Sequence, residues 1–147
     1  NELYLEEQLE KLNIIKSHIK IKKSDKLLDI GCGTGISTNF FKCNVIGIDP
    51  SKEMIKKGKG KLIFGKAEKL LFKNKTFDII LCITAFHNFK DQEKAVKEIL
   101  RVKKEKSIVV ITLLKKSKNY NKLKNLIIKN FKVKEIDSSK DTIFISF

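Results

Sequence analysis

The sequence predicts an α/β fold: a mostly parallel sheet with helices on both faces, closed by an antiparallel hairpin at its C-terminal end. Three observations predict it. Short apolar runs alternate with amphipathic segments from Lys26 onward, a glycine cluster follows the first run, and two strand-like runs close the chain with only "SSKD" between them. Strand–helix alternation gives parallel strands joined by right-handed crossovers. Two strands with no room for a helix between them pair antiparallel.

The elements follow in order. The leading stretch "ELYLEEQLEKLNIIKSHIKIKK" places Leu5, Leu9, Leu12 and Ile15 on one helical face, and Glu7 and Lys11 stand at i, i+4 in the favourable order. "KLLDI" is a buried strand, "ISTNFFK" a short helix and "NVIGID" a second strand. Ser51 caps a helix through "KEMIKKG", with Glu53 in its first turn. "KLIFG" and "TFDIILCI" are the third and fourth strands. "DQEKAVKEILRVK" is an amphipathic helix capped by Asp91, with Ala95, Ile99 and Val102 inward. "KKEKS", Lys103 to Ser107, reads as a turn before the fifth strand, "SIVVITLL". "YNKLKNLIIKNF" is a further helix, and "KVKEID" and "DTIFISF" form the hairpin.

With 147 residues, 41% of them hydrophobic, the chain has enough material for one domain with one core. Residues 1–23 form a leading helix able to act as a lid, and residues 24–147 form the core domain. No apolar run approaches the ~20 residues of a membrane-spanning helix. There is no signal-peptide pattern, so a cytoplasmic location is expected. The chain begins at Asn1 rather than Met, so leading residues are expected to be missing. Cys32, Cys43 and Cys82 form no CxxC or Cys/His cluster and read as small buried thiols; no metal site is expected.

The formal charge of +15 invites a nucleic-acid target. Against that, Arg101 is the only arginine, and the lysines run along the whole chain rather than gathering in a patch. Arginine is the preferred residue for bidentate phosphate and base contacts. RNA or another polyanion stays open as a target, beside a small-molecule substrate.

The chemistry concentrates at "LLDIGCGTG". Gly31, Gly33 and Gly35 lie between the first strand and its helix, the junction at which an open α/β sheet binds ligand. A dinucleotide fingerprint needs a third glycine at position 36, which is Ile36, and no G-K-[ST] follows to make a P-loop. The nicotinamide oxidoreductase reading is therefore disfavoured. Asp49 stands at the tip of the second strand, where a carboxylate accepts from both hydroxyls of a ribose. The alternative is that it caps the following helix.

"LLDIGCGTG", "VIGIDPSKEMIKKG" and "GKAEKLLFKNKTFDIILCITAFHNFKDQEKAVKEILRV" together resemble the class I S-adenosylmethionine-dependent methyltransferases, nearest the small-molecule type that includes the ubiquinone/menaquinone group. The resemblance runs from about Lys26 to Leu114 and implies a Rossmann-like, seven-stranded sheet with an antiparallel strand at or near one edge. It implies that Gly31, Cys32 and Gly33 pass the backbone along the methionine part of the cofactor, and that Gly35 is also cofactor-binding. It places Asp29 toward the cofactor's amino group, Asp49 on the ribose, and Pro50 and Met54 near the adenine.

Where that family often has Gly-Asp-Ala after the third strand, this chain has Gly65, Lys66, Ala67 and Glu68. Lys66 cannot accept a hydrogen bond, which leaves the Ala67 amide and the Glu68 carboxylate to meet the adenine. Ile83 is the implied backbone contact at the fourth strand's tip. His87 is the candidate general base, with a structural role as the alternative. Phe86 and Phe89 wall an apolar pocket or join the core, and Tyr4 on the leading helix is a weaker cofactor candidate. No D/N-P-P-Y motif follows the fourth strand, which argues against amino-methylating DNA enzymes and glutamine methyltransferases. The implied reaction is methyl transfer to a small molecule. A tRNA or protein acceptor, or a cofactor-binding subunit active only with a partner protein, are the alternatives.

Overall fold

A computed structural model of the chain describes residues 2–147. Five helices, α1 (Glu2–His18), α2 (Ile36–Phe40), α3 (Lys52–Lys57), α4 (Gln92–Val102) and α5 (Tyr120–Asn130), surround seven strands. The strands are β1 (Lys26–Ile30), β2 (Asn44–Asp49), β3 (Leu62–Phe64), β4 (Phe77–Cys82), β5 (Lys103–Leu114), β6 (Val133–Asp137) and β7 (Asp141–Ser146). They form one sheet in the order β3-β2-β1-β4-β5-β7-β6. β1 to β5 pair in parallel, and β7 runs antiparallel to both β5 and β6. The antiparallel strand thus lies one place in from the edge. The order reverses between β1 and β4, and this switch point opens the crevice at the strands' C-terminal ends.

Period-two alternation divides the core between the two faces of the sheet. Leu28, Ile30, Ile80 and Val109 join Ala95, Val96, Ile99 and Val102 of α4 and Leu123 and Ile127 of α5 on one face. Leu27, Ile79, Leu81 and Val110 join Leu12 and Ile15 of α1 on the other. Both predicted helix caps form: the Ser51 side chain accepts from the Met54 amide, and Asp91 accepts from that of Lys94.

Two sequence expectations are corrected here. α1 stops at His18, and its Leu12 and Ile15 are fully buried against the sheet. The leading helix is thus shorter than the expected residues 1–23; one face joins the core, while its first turns, with Leu3, Tyr4 and Leu5, and later positions such as Asn13 and Lys16 are exposed. The segment Lys103–Ser107 is not a turn. β5 begins at Lys103, directly after α4, and pairs with Phe77 before a register shift brings Ile108 opposite Ile79. A bulge absorbs the extra lysine-rich residues while the strand continues.

Candidate functional site

The loop from Gly31 to Gly35 is held by β2 rather than left open. The amides of Gly31 and Cys32 both donate to the carbonyl of Ile48, at 2.8 and 2.9 Å. The Gly33 amide donates to Asp49 Oδ2 at 2.9 Å, and Gly35 donates to the Cys32 carbonyl at 3.0 Å. Phosphate-binding loops aim such amides at an anion. Here the amides of Gly31, Cys32, Gly33 and Gly35 are satisfied inside the protein.

Three of its glycines do different work. Gly31 has φ +74°, and a Cβ there would stand 2.4 Å from Ala85 Cβ. Gly35 has φ +96°, and its Cβ would meet the Lys59 carbonyl at 2.5 Å. Gly35 thus has a packing and turn role at the start of α2. Gly33, at φ +55°, faces open space, with nothing within 4 Å of an added Cβ.

Asp29 lies beneath the loop and is fully buried. Its Oδ2 accepts from Ser37 Oγ at 2.5 Å and Thr38 Oγ1 at 2.9 Å, while Oδ1 is buried without a partner. Burial raises the carboxyl to about 6 against the lowering pull of the two hydroxyls, and the nearby Asp49 carboxylate raises it further. Ser37 and Thr38 were not singled out from the sequence. The available signal was an acid in an otherwise apolar strand followed by two hydroxyl residues at the next helix's start. The Cys32 thiol, also buried, is pushed up to about 12, mainly by burial and then by Asp29 and Asp49.

Asp49 is committed at both oxygens. Besides the Gly33 contact, Oδ1 accepts from the Ser51 amide at 2.9 Å. It does not cap α3, since Ser51 does that. Each oxygen keeps a second lone pair for a ligand hydroxyl.

Beside the loop lies a pocket of about 550 Å³. Gly31 and Pro50 bound one side, Ala67 and Glu68 the next, and Asn88 and Phe89 the far wall. Glu68 does not present both oxygens to the pocket. Its Oε2 accepts from the amides of Lys90 and Asp91, at 2.9 and 3.1 Å, and so braces the loop before α4.

The chain matches the family model described as a methyltransferase domain over residues 28–111. It belongs to the methyltransferase domain family. An uncharacterized methyltransferase of Bacillus subtilis, YcgJ, is 36% identical over 121 residues, covering 71% of this chain and 48% of that protein. The solved structure of that protein superimposes with a TM-score of 0.66, covering 71% of this chain and 50% of the other. A ubiquinone biosynthesis O-methyltransferase of Pelagibacter ubique is 34% identical, covering 78% of this chain and 52% of that protein. The PH0226 protein of Pyrococcus horikoshii, 20% identical, shares the fold at a TM-score of 0.78, covering 95% of this chain and 89% of its own. The chain spans about half the length of the curated relatives it matches.

The cofactor that goes with this methyltransferase domain is S-adenosylmethionine, and the residues present fit it. The ligand carries an ammonium and a sulfonium and no phosphate. Against it the site sets an unpartnered buried carboxylate oxygen on Asp29, an open glycine cradle at Gly33, and a loop that turns four of its amides to partners inside the protein.

Asp29, Cys32, Gly33, Gly35, Asp49, Met54, Ile83 and His87 are not among the residues that line the pocket beside the loop. Met54 is 44% exposed on α3 and neither lines the pocket nor joins the core. Ile83 turns its side chain into the α1-side core. Phe86 is fully buried in the opposite core, leaving Phe89 at the pocket. His87, on a single 3-10 turn from Phe86 to Asn88, is absent from the pocket wall. Its Nδ1 is buried without a partner, and burial holds the imidazole below its ordinary range. Arg101 is committed internally: it donates to the carbonyls of Leu70 and Phe72, to Asn74 and to Glu98, pinning the segment between β3 and β4. Among the described residues no helix is long and apolar enough to cross a membrane, and no three His, Cys, Asp or Glu side chains are grouped so as to hold a metal ion.

Proposed function

We propose that this chain binds S-adenosylmethionine and transfers its methyl group to a small-molecule acceptor with a nucleophilic oxygen or nitrogen. The observation that carries the reading is the pairing of a loop whose Gly31, Cys32, Gly33 and Gly35 amides are satisfied within the protein with a buried carboxylate oxygen on Asp29 that has no partner. Such a site suits a cationic, phosphate-free ligand. The similarity to an O-methyltransferase of ubiquinone biosynthesis supports the small-molecule class.

When bound, the cofactor supplies a methyl group already activated on a sulfonium sulfur. The chain's own work is placement. Asp29 and Gly33 receive the amino-acid end, Asp49 takes the ribose hydroxyls, and Pro50, Ala67 and Glu68 enclose the base. Alignment of the acceptor and exclusion of water can be worth up to ~7–11 kcal/mol, so no strong base is required. His87, on the turn that brings Asn88 and Phe89 to the pocket wall, is the chain's candidate to take the proton that the acceptor's O–H or N–H releases.

A second reading rests on the rim. Lys66, Lys90 and Lys94 are exposed around the pocket, which favours an anionic acceptor and keeps RNA as an alternative. Isothermal titration with S-adenosylhomocysteine tests the cofactor assignment: micromolar binding is expected, and no binding at millimolar ligand overturns it. Adding tRNA at rising salt tests the second reading, because several engaged phosphates produce steep weakening.

A further inference from the structure

Behind the site, three polar side chains from three elements, Lys11 of α1, Thr112 of β5 and Asp141 of β7, meet at Thr84. Thr84 follows β4 and holds φ at +50°, a conformation β-branched residues rarely adopt. Its amide donates to Thr112 Oγ1 on β5 at 2.7 Å. Its hydroxyl donates to Asp141 Oδ2 at the start of β7, at 3.0 Å, and accepts from Lys11 Nζ of α1 at 2.5 Å. Lys11 and Asp141 pair at 3.4 Å, with side chains only 6% and 2% exposed.

A buried lysine–aspartate pair is a poor device for stability. Desolvation costs several kcal/mol per ion, and apolar residues of similar volume often serve as well or better. The pair's placement offers another role. The residue after Thr84 is Ala85, whose Cβ packs where Gly31 has no side chain. Next comes the turn that delivers Asn88 and Phe89 to the pocket wall. The backbone angle at Thr84 therefore sets both the contact with the glycine loop and the position of that wall.

We propose that Lys11 and Asp141 are positioning residues for the cofactor site: they clamp Thr84 in its left-handed conformation and so hold Ala85 against Gly31 and the Phe86–Asn88 turn in register with the pocket. The inference rests on the cofactor reading above. His87, inside that turn, is a natural reporter. The charged groups that face it are Asp141 from β7, which raises its pKa, and Lys11 from α1, which lowers it.

The test uses the chain itself, with two single variants and one apolar double. Proton NMR of the imidazoles follows His87 titration without any ligand, with His18 as internal control. Lys11→Met is expected to move the His87 midpoint up and Asp141→Asn to move it down. Lys11→Met combined with Asp141→Leu is expected to keep the melting temperature within a few degrees, yet to weaken S-adenosylhomocysteine binding at least fivefold in calorimetry. Unmoved midpoints in both single variants, or wild-type affinity in a folded double variant, overturn the proposal. If the unaltered chain binds no S-adenosylhomocysteine, the cofactor reading fails and the clamp of a cofactor site fails with it. In that event His87 shifts would still record the Lys11–Asp141–Thr84 contact as a structural one.

Discussion

The Asp49 carboxylate receives the Gly33 amide at 2.9 Å, tying the tip of β2 to the loop that follows β1. One side chain therefore shapes the loop and stands ready for a ligand hydroxyl. Asp49→Ala is expected to weaken S-adenosylhomocysteine binding by about tenfold or more, the loss of a charge-assisted pair of hydrogen bonds. Calorimetry of wild type and variant measures it, and a parallel thermal melt separates loop loosening from lost ligand contact.

Gly31 and Gly33 are expected to respond differently to a single methyl group. Gly31→Ala drives a Cβ into Ala85 at 2.4 Å, so the fold loses on the order of 2 kcal/mol or more. Gly33→Ala meets no atom within 4 Å. Its loss is limited to the backbone strain of a positive φ, about 1 kcal/mol, while the methyl fills the cradle and weakens cofactor binding. Urea denaturation and calorimetry on both variants check the contrast.

Asp29 predicts a stability slope with a definite sign. Its folded-state pKa, about 6, lies above the ordinary value of 3.8, so between those limits the folded state binds more protons than the unfolded one. Stability from this group is therefore greatest below pH 4, falls as pH rises to about 6, and stays lower above; the amplitude is roughly 3 kcal/mol. Asp29→Asn is expected to flatten that slope in urea titrations at pH 4, 5, 6 and 7. A cation bound at Oδ1 favours the ionised form, so cofactor binding is expected to tighten from pH 5 to pH 7 and to release protons. Calorimetry in buffers of different ionisation enthalpy reads that release.

Arg101 is expected to be irreplaceable by lysine. Its guanidinium donates to two carbonyls, an amide oxygen and the Glu98 carboxylate, which one ammonium cannot do. Arg101→Lys should lower stability by about 2 kcal/mol, with the fastest added hydrogen exchange in residues 70–76. Equal exchange there would contradict the role.

The strand–helix order, both helix caps and the inward faces of α4 were legible because each rests on local signals of spacing and side-chain type. The glycine loop and Asp49 were legible as a pair for the same reason. Other features depend on partners distant in the chain. That Asp29 sits under the loop, bonded to Ser37 and Thr38, follows from where α2 lies on the sheet. That Glu68 braces the amides of Lys90 and Asp91 follows from β3 and the β4–α4 loop meeting at one end. The Lys103–Ser107 segment carried a turn's composition but continues as strand, because pairing with β4 outweighs its weak local preference. By spacing, Lys11 stands at i, i+4 from Glu7 in the favourable order. In the structure it goes inward to Asp141, and Glu7 pairs instead with Lys140 at 2.6 Å.

The bridge between α1 and β7 also bears on how the chain is made. Lys11 and Asp141 are 130 positions apart, the difference of their residue numbers. A ribosome adding ~5–20 residues per second needs on the order of ten seconds to bridge that gap. Throughout that interval the apolar stripe of α1, with Leu12 and Ile15, lacks β7's Ile143 and Ile145, which share its core cluster. The nascent helix has Leu27 of β1 and Ile79 and Leu81 of β4 to pack on before then, and β7 completes the core that it began.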